Sequence, residues 1–324
     1  MRAIVVERWT EPSSLRVSEV PEPELVPGAL EVEVRAAGCN FFDILMVQGR
    51  YQIRPPFPFT PGAEIAGVVR RVGAGVKRFA PGDRVLASPG MGGFAEVAVI
   101  GAGGAYKLPG EMSFEEGAAL PIIYPTSYAG LVDRGHLARG ETLLVHAAAG
   151  GVGLAAVQIG AALGARVIAT AGSAEKCEVA LREGAVAAID YREEDFVPRV
   201  LELTDGRGAD VIYDSVGGDT TDQSLKCIAW NGRLVIIGFA SGDIPEIKAN
   251  RILLKNIAVT GLHWGAHQQK APGRIPEVFG ALFDLYAAGA IRPVIFKSYS
   301  LDEVPAALAA LGSRQTYGKV VITP

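Results

Sequence analysis

The residues whose types and spacing could do chemistry begin with three glycines. Gly150, Gly151 and Gly153 follow Leu143-Leu-Val-His-Ala-Ala-Ala149, a run that opens with the short β-prone segment Leu143 to Val145. A turn with so little side-chain bulk lets backbone N–H groups at a helix N-terminus approach a pyrophosphate. Ala149, Gly150, Gly151, Val152 and Gly153 are therefore candidate dinucleotide-binding residues. The next strand, Arg166 to Thr170, runs into Ala171-Gly-Ser173. Folds that prefer NADH carry an acidic side chain there to accept hydrogen bonds from the ribose hydroxyls. Here Ser173 and Lys176 follow instead, a hydroxyl and a cation where a 2′-phosphate would sit, which favours NADPH. Ser173 is equally a good helix N-cap, a role it can fill with or without a ligand.

A strand, a helix and a second strand must hold this turn. Leu154, Val157, Ala161 and Leu163 recur near helical spacing, and Gly164 closes the helix. The stretch Leu143–Ala165 carries no formal charge and is long enough to cross a bilayer. Its glycines, its alanine content and the β-branched strand after it fit a buried parallel-sheet unit better. A structural glycine turn without a ligand is the other alternative.

Downstream the chain alternates. Helices are expected at Ala174–Glu183, Glu194–Leu203 and about Thr220–Ile228, with strands at Ala187–Ile189, Val211–Asp214 and Leu234–Ile237. This is the pattern of an α/β Rossmann fold, a doubly wound parallel sheet that binds ligands at the C-terminal ends of its strands. There Ser215, Gly238, Phe239 and Ala240 offer backbone for a cofactor to lie against. The first third reads differently: strands at Ala3–Val6, Leu30–Arg35, Gly67–Val72 and Phe94–Val99, broken by Pro and Gly clusters, predict a barrel-like sheet with a short helix at Asn40–Gly49. Beyond Gly261 the alternation stops. The helix Ile275–Ala288 and the strands near Ile295 and at Lys319–Ile322 are assigned to the first domain. The expected division is 1-121 with 264-324 for the β-rich domain and 122-263 for the nucleotide-binding domain.

Composition narrows the class. The 324 residues suit two cores, and 49% hydrophobic with 20% charged residues describes a soluble globular chain. A net charge of −4 offers no basic footprint for nucleic acid or an anionic membrane. Cys39, Cys177 and Cys227 are too few and too scattered for a disulfide framework or a structural zinc site. Met1–Trp9 lacks the features of a targeting signal, so a cytoplasmic location is expected.

Three further signatures stand in order before the glycine turn: Pro61-Gly-Ala-Glu-Ile-Ala-Gly67, Val72-Gly-Ala-Gly-Val76 and Pro81-Gly-Asp-Arg-Val85. With the turn, they make the chain resemble, from end to end, the medium-chain dehydrogenase/reductase superfamily. The zinc-free NADPH:quinone oxidoreductases, the zeta-crystallin-like branch, are the most similar. The resemblance implies a discontinuous, β-rich GroES-like catalytic domain beside the Rossmann domain. It also implies zinc-independent hydride transfer from NADPH to a quinone in an interdomain cleft, with reduction of an α,β-unsaturated carbonyl as the alternative. A zinc alcohol dehydrogenase and a non-catalytic nucleotide- or RNA-binding protein are more distant readings.

The same resemblance assigns site residues. Asn40, Asp43 and Tyr51 would line the substrate cleft. Thr126, the Ile237-Gly238-Phe239 turn and Leu262-His263-Trp264 would lie on the nicotinamide side, and Lys176, Tyr191 and Arg314 would hold the 2′-phosphate. The zinc ligands of zinc-dependent members match Asn40, Ala63 and Ile122, and only the neighbouring Glu64 is a possible donor. One carboxylate does not make a four-coordinate site, so no metal is expected. Relatives commonly pair as homodimers through the nucleotide domain.

Overall fold

Six apolar runs with little polar alternation form one sheet. In the computed structural model, which describes residues 1–324, the strands Thr142–Val145, Arg166–Ala171, Ala187–Asp190, Ala209–Asp214, Ile228–Ile236 and Ala258–Gly261 are all parallel. They lie in the order third, second, first, fourth, fifth, sixth. Leu143 to Val145, Val167 to Ala169 and Val211 to Tyr213 are fully buried, as strands covered on both faces must be. The strand order reverses between the first and the fourth, where a doubly wound sheet opens a crevice for its ligand. The uncharged stretch after the first strand is a helix of only 12 residues, Gly151–Ala162. No helix is long and apolar enough to cross a membrane. The sixth strand was not legible in the sequence, because this edge strand is largely exposed and lacks the buried apolar run of the others.

The other sheet is mostly antiparallel and curved. Its long strand Ala29–Gly38 pairs with Glu64–Val72 through two register shifts, Glu31/Val32 and Val34/Ala36. Such bulges bend a strand and strengthen its twist. One end of Ala29–Gly38 pairs with Val97–Gly101 and the other with the C-terminal strand Lys319–Thr323. Arg84–Ala87 and Ala105–Lys107, two further short strands, extend the sheet beyond Glu64–Val72. Leu30, Val32, Ile65, Val85, Phe94, Val320 and Ile322 share its core.

The chain divides into two units, Met1–Ile122 with Pro293–Pro324, and Ile123–Arg292. The expected second boundary at 263/264 is corrected to 292/293. The reason is packing: the helix Arg274–Ala287 lies against Ile123–Ala129. Arg274 pairs with Asp133, and Gln158 hydrogen-bonds the backbone of Arg292 through both ends of its amide. Segment 264–292 thus completes the parallel-sheet unit, and only the strands Ile295–Ser300 and Lys319–Thr323, with the helix Val304–Gly312 between them, return to the first sheet.

Candidate active site

The glycine turn is built from backbone. Ala147 sits at φ 49°, which tightens the exit from the first parallel strand, and Gly150 becomes the N-cap of the helix in an extended conformation. Two glycines here do opposite things. A Cβ on Gly153 would lie 2.7 Å from Ala148 Cα and closer still to the Ala147 carbonyl, so this glycine lets the helix pack on the turn. A Cβ on Gly150 would meet only the Ala147 carbonyl, at 3.3 Å. Its φ of −74° is open to any residue. The protein's own packing therefore does not require glycine at 150, whereas backbone approach by a phosphate does.

Beneath the turn, His146 is buried. Its Nδ1 lies 3.0 Å from Thr170 Oγ1 and its Nε2 2.8 Å from Ser224 Oγ. Burial brings its pKa down to about 4, with Asp214 pulling the other way. The neutral ring can donate to one hydroxyl and accept from the other. It ties the first and second strands to the helix Gly218–Cys227.

At the end of the second strand, Ser173 caps the helix Ala174–Arg182 and accepts the Lys176 backbone N–H at 3.3 Å. The Tyr191 ring lies over Gly172, where a Cβ would fall 2.5 Å from its hydroxyl. Ser173, Lys176 and Tyr191 therefore lie at one strand end, where the last strand residue is Ala171 rather than an acid and Glu175 shares the first helical turn. Farther along the sheet edge, an open pocket of about 350 Å³ is lined by Ile236 to Phe239 and Gly261 to His263. Ala240 N–H donates to the Ser215 carbonyl, and Ser215 Oγ reaches the His146 carbonyl at 3.5 Å. Trp264 stacks on His267 outside this lining, and Thr126 is half-buried on the helix Ile123–Ala129. Arg314 belongs to the first unit, in a left-handed turn after the helix Val304–Gly312.

The first unit brings Asn40 and Asp43 together at the start of the helix Phe41–Val47. Asp43 Oδ2 accepts the Asn40 backbone N–H at 2.7 Å. Tyr51 stacks on Phe42 of the same helix at 5.3 Å. Lys319, which sequence reasoning did not place in the site, and Glu64, considered there only as a metal donor, complete it. Lys319, which opens the C-terminal strand, is buried, and its Nζ donates to the Cys39 carbonyl at 2.8 Å, to Asn40 Oδ1 at 2.9 Å and to Glu64 Oε1. Gly38 leaves room for the carboxylate: a Cβ there would stand 2.6 Å from Glu64 Oε1. Asn40 Nδ2 donates to Glu64 Oε1 at 2.8 Å, and Ile122 N–H to Oε2 at 3.0 Å. Two of the three positions matched to zinc ligands thus converge on Glu64, but as donors to it.

Asp43 differs from its neighbours. Its Oδ1 is buried without a partner. Burial raises its pKa to about 7, while the Asn40 amide and Lys319 pull the other way. Burial, with a smaller contribution from Asp43, also raises Tyr51. Among His, Cys, Asp and Glu, no three are grouped to hold a metal ion.

Residues 26–110 match the alcohol dehydrogenase GroES-like domain family, and residues 151–282 the zinc-binding dehydrogenase family. The chain is 45% identical over 296 residues to a quinone oxidoreductase-like protein 2 homolog of Nematostella vectensis, covering 90% of this chain and 81% of that protein. It is 40% identical over 302 residues to a quinone oxidoreductase of Pseudomonas aeruginosa, covering 92% of each. The fold superposes on the crystal structure of Escherichia coli quinone oxidoreductase complexed with NADPH with a TM-score of 0.92, at 35% identity and 100% coverage of both chains.

Proposed function

The chain belongs to the quinone oxidoreductase branch of the medium-chain dehydrogenase/reductase superfamily, and from that premise we propose that it catalyses zinc-independent hydride transfer from NADPH to a quinone. The observation that carries this reading is the closure of Glu64. Glu64, the carboxylate on which two of the positions matched to zinc ligands converge, is occupied by an ammonium, an amide and a backbone N–H. A cation entering there would have to displace Lys319, whereas the Asn40 amide keeps a second N–H beyond the one given to Glu64.

The residues fit the cofactor. The first-turn N–H groups of Gly151, Val152 and Gly153 have no helical acceptor and are offered to the pyrophosphate, while the Gly150 N–H turns back to the Ala147 carbonyl. Ser173, Lys176 and Tyr191 gather where the 2′-phosphate of NADPH would lie. Thr126, Gly238, Phe239, His263 and Trp264 are assigned to its nicotinamide side, Ser215 and Ala240 to the backbone it lies against, and Arg314 to its 2′-phosphate. NADPH, when bound, supplies the hydride. Asn40 Nδ2 and the Tyr51 hydroxyl donate to the substrate oxygen on which charge develops. Asp43 holds the Asn40 backbone, and water supplies the proton that completes the hydroquinone.

Two further features support the wider reading. The three cysteines are free and buried, in keeping with a reducing cytoplasmic compartment. Leu253 and Leu254 are 78% and 70% exposed beside the edge strand Ala258–Gly261, and Trp230 is 65% exposed in the neighbouring strand. An apolar sheet edge of this kind suits pairing of two copies.

The deciding experiment is a panel of quinones and α,β-unsaturated carbonyls with NADPH, with and without a chelator, on protein of known metal content. Quinones should be the faster acceptors, and the chelator should change nothing. Stoichiometric zinc whose removal stops turnover would overturn the metal-free reading. Faster enones would move the substrate to the alternative class. Light scattering of the same preparation should give twice the 34.0 kDa chain mass, and a monomer removes the dimer from the proposal.

A further inference from the structure

We propose that Lys319 is the positioning residue of this site: its ammonium fixes the Asn40 carboxamide in the one orientation that keeps an N–H available to the substrate oxygen. The proposal rests on the reading of Asn40 as the donor to that oxygen. The geometry behind it is a closed account of donors and acceptors. A lysine ammonium has three N–H groups and accepts nothing, while a carboxylate only accepts. Lys319 has three acceptors around it, the Cys39 carbonyl, Asn40 Oδ1 and Glu64 Oε1. Glu64 in turn takes Asn40 Nδ2 and the Ile122 N–H.

The carboxamide therefore cannot flip. Rotated by half a turn, its oxygen would face the Glu64 carboxylate and its NH₂ the ammonium, two repulsive contacts in a buried site. In the observed orientation one Nδ2–H is spent on Glu64 and the second is left. Lys319 and Glu64 select the same orientation, because the ammonium takes only the oxygen end of the amide and the carboxylate only its nitrogen end.

The position of the ammonium is also fixed by the backbone. Cys39 N–H donates to the Val320 carbonyl at 2.9 Å, and Gly38 and Ala37 pair with Val321 and Ile322. A buried ion pair adds little stability over a well-packed apolar pair of the same shape. What this pair supplies beyond stability is direction: a polar side chain that would otherwise have two nearly equal orientations has one.

The test is a cycle on kcat with a quinone, comparing Asn40→Ala, Glu64→Gln/Lys319→Met and the triple variant. The double variant removes both charges together, and the glutamine it introduces offers either end of its amide to Asn40. Removing one oxyanion-type donor costs roughly 100- to 1,000-fold in kcat. Asn40→Ala should show that loss, the double variant a loss approaching it, and the triple variant no further loss, with NADPH affinity unchanged throughout. A role confined to stability would shift the unfolding midpoint without this non-additivity.

A folded double variant with wild-type kcat, or a full additional loss in the triple variant, would overturn the proposal. Should the double variant not fold, Glu64→Gln/Lys319→Gln keeps hydrogen-bonding groups at both places and carries the same expectation. Wild-type kcat in Asn40→Ala would instead remove the reading of Asn40 as donor, and the proposal with it. The two failures are thus distinguishable.

Discussion

The glycine turn of the second unit and the polar cluster of the first solve opposite problems. The turn works by omission: no side chain stands over Gly150, and the groups it would offer a ligand are backbone N–H groups that every residue but proline possesses. The cluster works by saturation. Lys319, Glu64 and Asn40 occupy one another's hydrogen-bonding capacity almost completely, and the Asp43 Oδ1 is the one buried side-chain oxygen or nitrogen left without a partner. A phosphate can be held by backbone because its charge is already present when it binds. Charge that develops during reaction needs a donor aimed in advance, and aiming takes side chains fixed from several directions.

The largest expected effect sharpens this contrast through pH. Asp43 in the first unit has its pKa raised from 3.8 to about 7, so the folded state holds a proton that the unfolded chain has released. Stability from this group is complete below pH 3.8 and is lost as the pH rises to 7. The loss is about 4 kcal/mol at roughly 1.4 kcal/mol per unit. His146 in the second unit is lowered from 6.5 to about 4, and its contribution runs the other way. It is complete above pH 6.5 and falls by about 3 kcal/mol as the pH drops toward 4. Asp43→Asn should flatten the first slope and His146→Gln the second. Hydrogen exchange followed separately in the two units at pH 4.5, 6 and 8 measures both. An unchanged slope in Asp43→Asn would mean that another group carries the proton.

A somewhat smaller effect separates the two glycines within the turn. Gly150→Val should weaken NADPH binding by at least about 100-fold, or ~2.7 kcal/mol, at a cost in stability of no more than about 1 kcal/mol. Gly153→Ala should do the reverse first: its Cβ would be forced into the Ala147–Ala148 backbone, a steric cost of about 1–3 kcal/mol. Thermal unfolding with and without NADPH reads both numbers for each variant. Tight NADPH binding by Gly150→Val would place the pyrophosphate elsewhere.

The same contrast explains what was legible in the sequence. The determinants of the turn and of the strand end beside it all lie between Gly150 and Lys176, so glycine spacing, the missing acid and Lys176 could be read directly. The cluster joins Cys39 and Asn40 to a lysine 280 and 279 residues away. A single charge opening the apolar strand Lys319-Val-Val-Ile-Thr323 reads as a solvated end. Only the pairing of Cys39 with Val320 shows that it points inward. The second domain boundary was missed for a related reason. The apolar face of Arg274–Ala287 marks it as covering something, and nothing in that pattern says which sheet.

The smallest expected effect concerns the edge of the turn's site, where side chains take over from backbone. Ser173 caps its helix whether or not a phosphate is present, so its substitution would confuse folding with recognition. Lys176, on the first turn of that helix, separates them: only a ligand carrying a 2′-phosphate gains from its charge. Lys176→Ala should therefore weaken NADPH binding about tenfold, or ~1.4 kcal/mol, and leave NADH binding almost unchanged. The effect should shrink as ionic strength rises, because this ammonium is only partly buried. Equilibrium titration of both nucleotides at low and moderate salt measures it. Equal affinities for NADPH and NADH in the intact protein would mean that Ser173, Lys176 and Tyr191 do not recognise the phosphate and that nucleotide choice is made elsewhere.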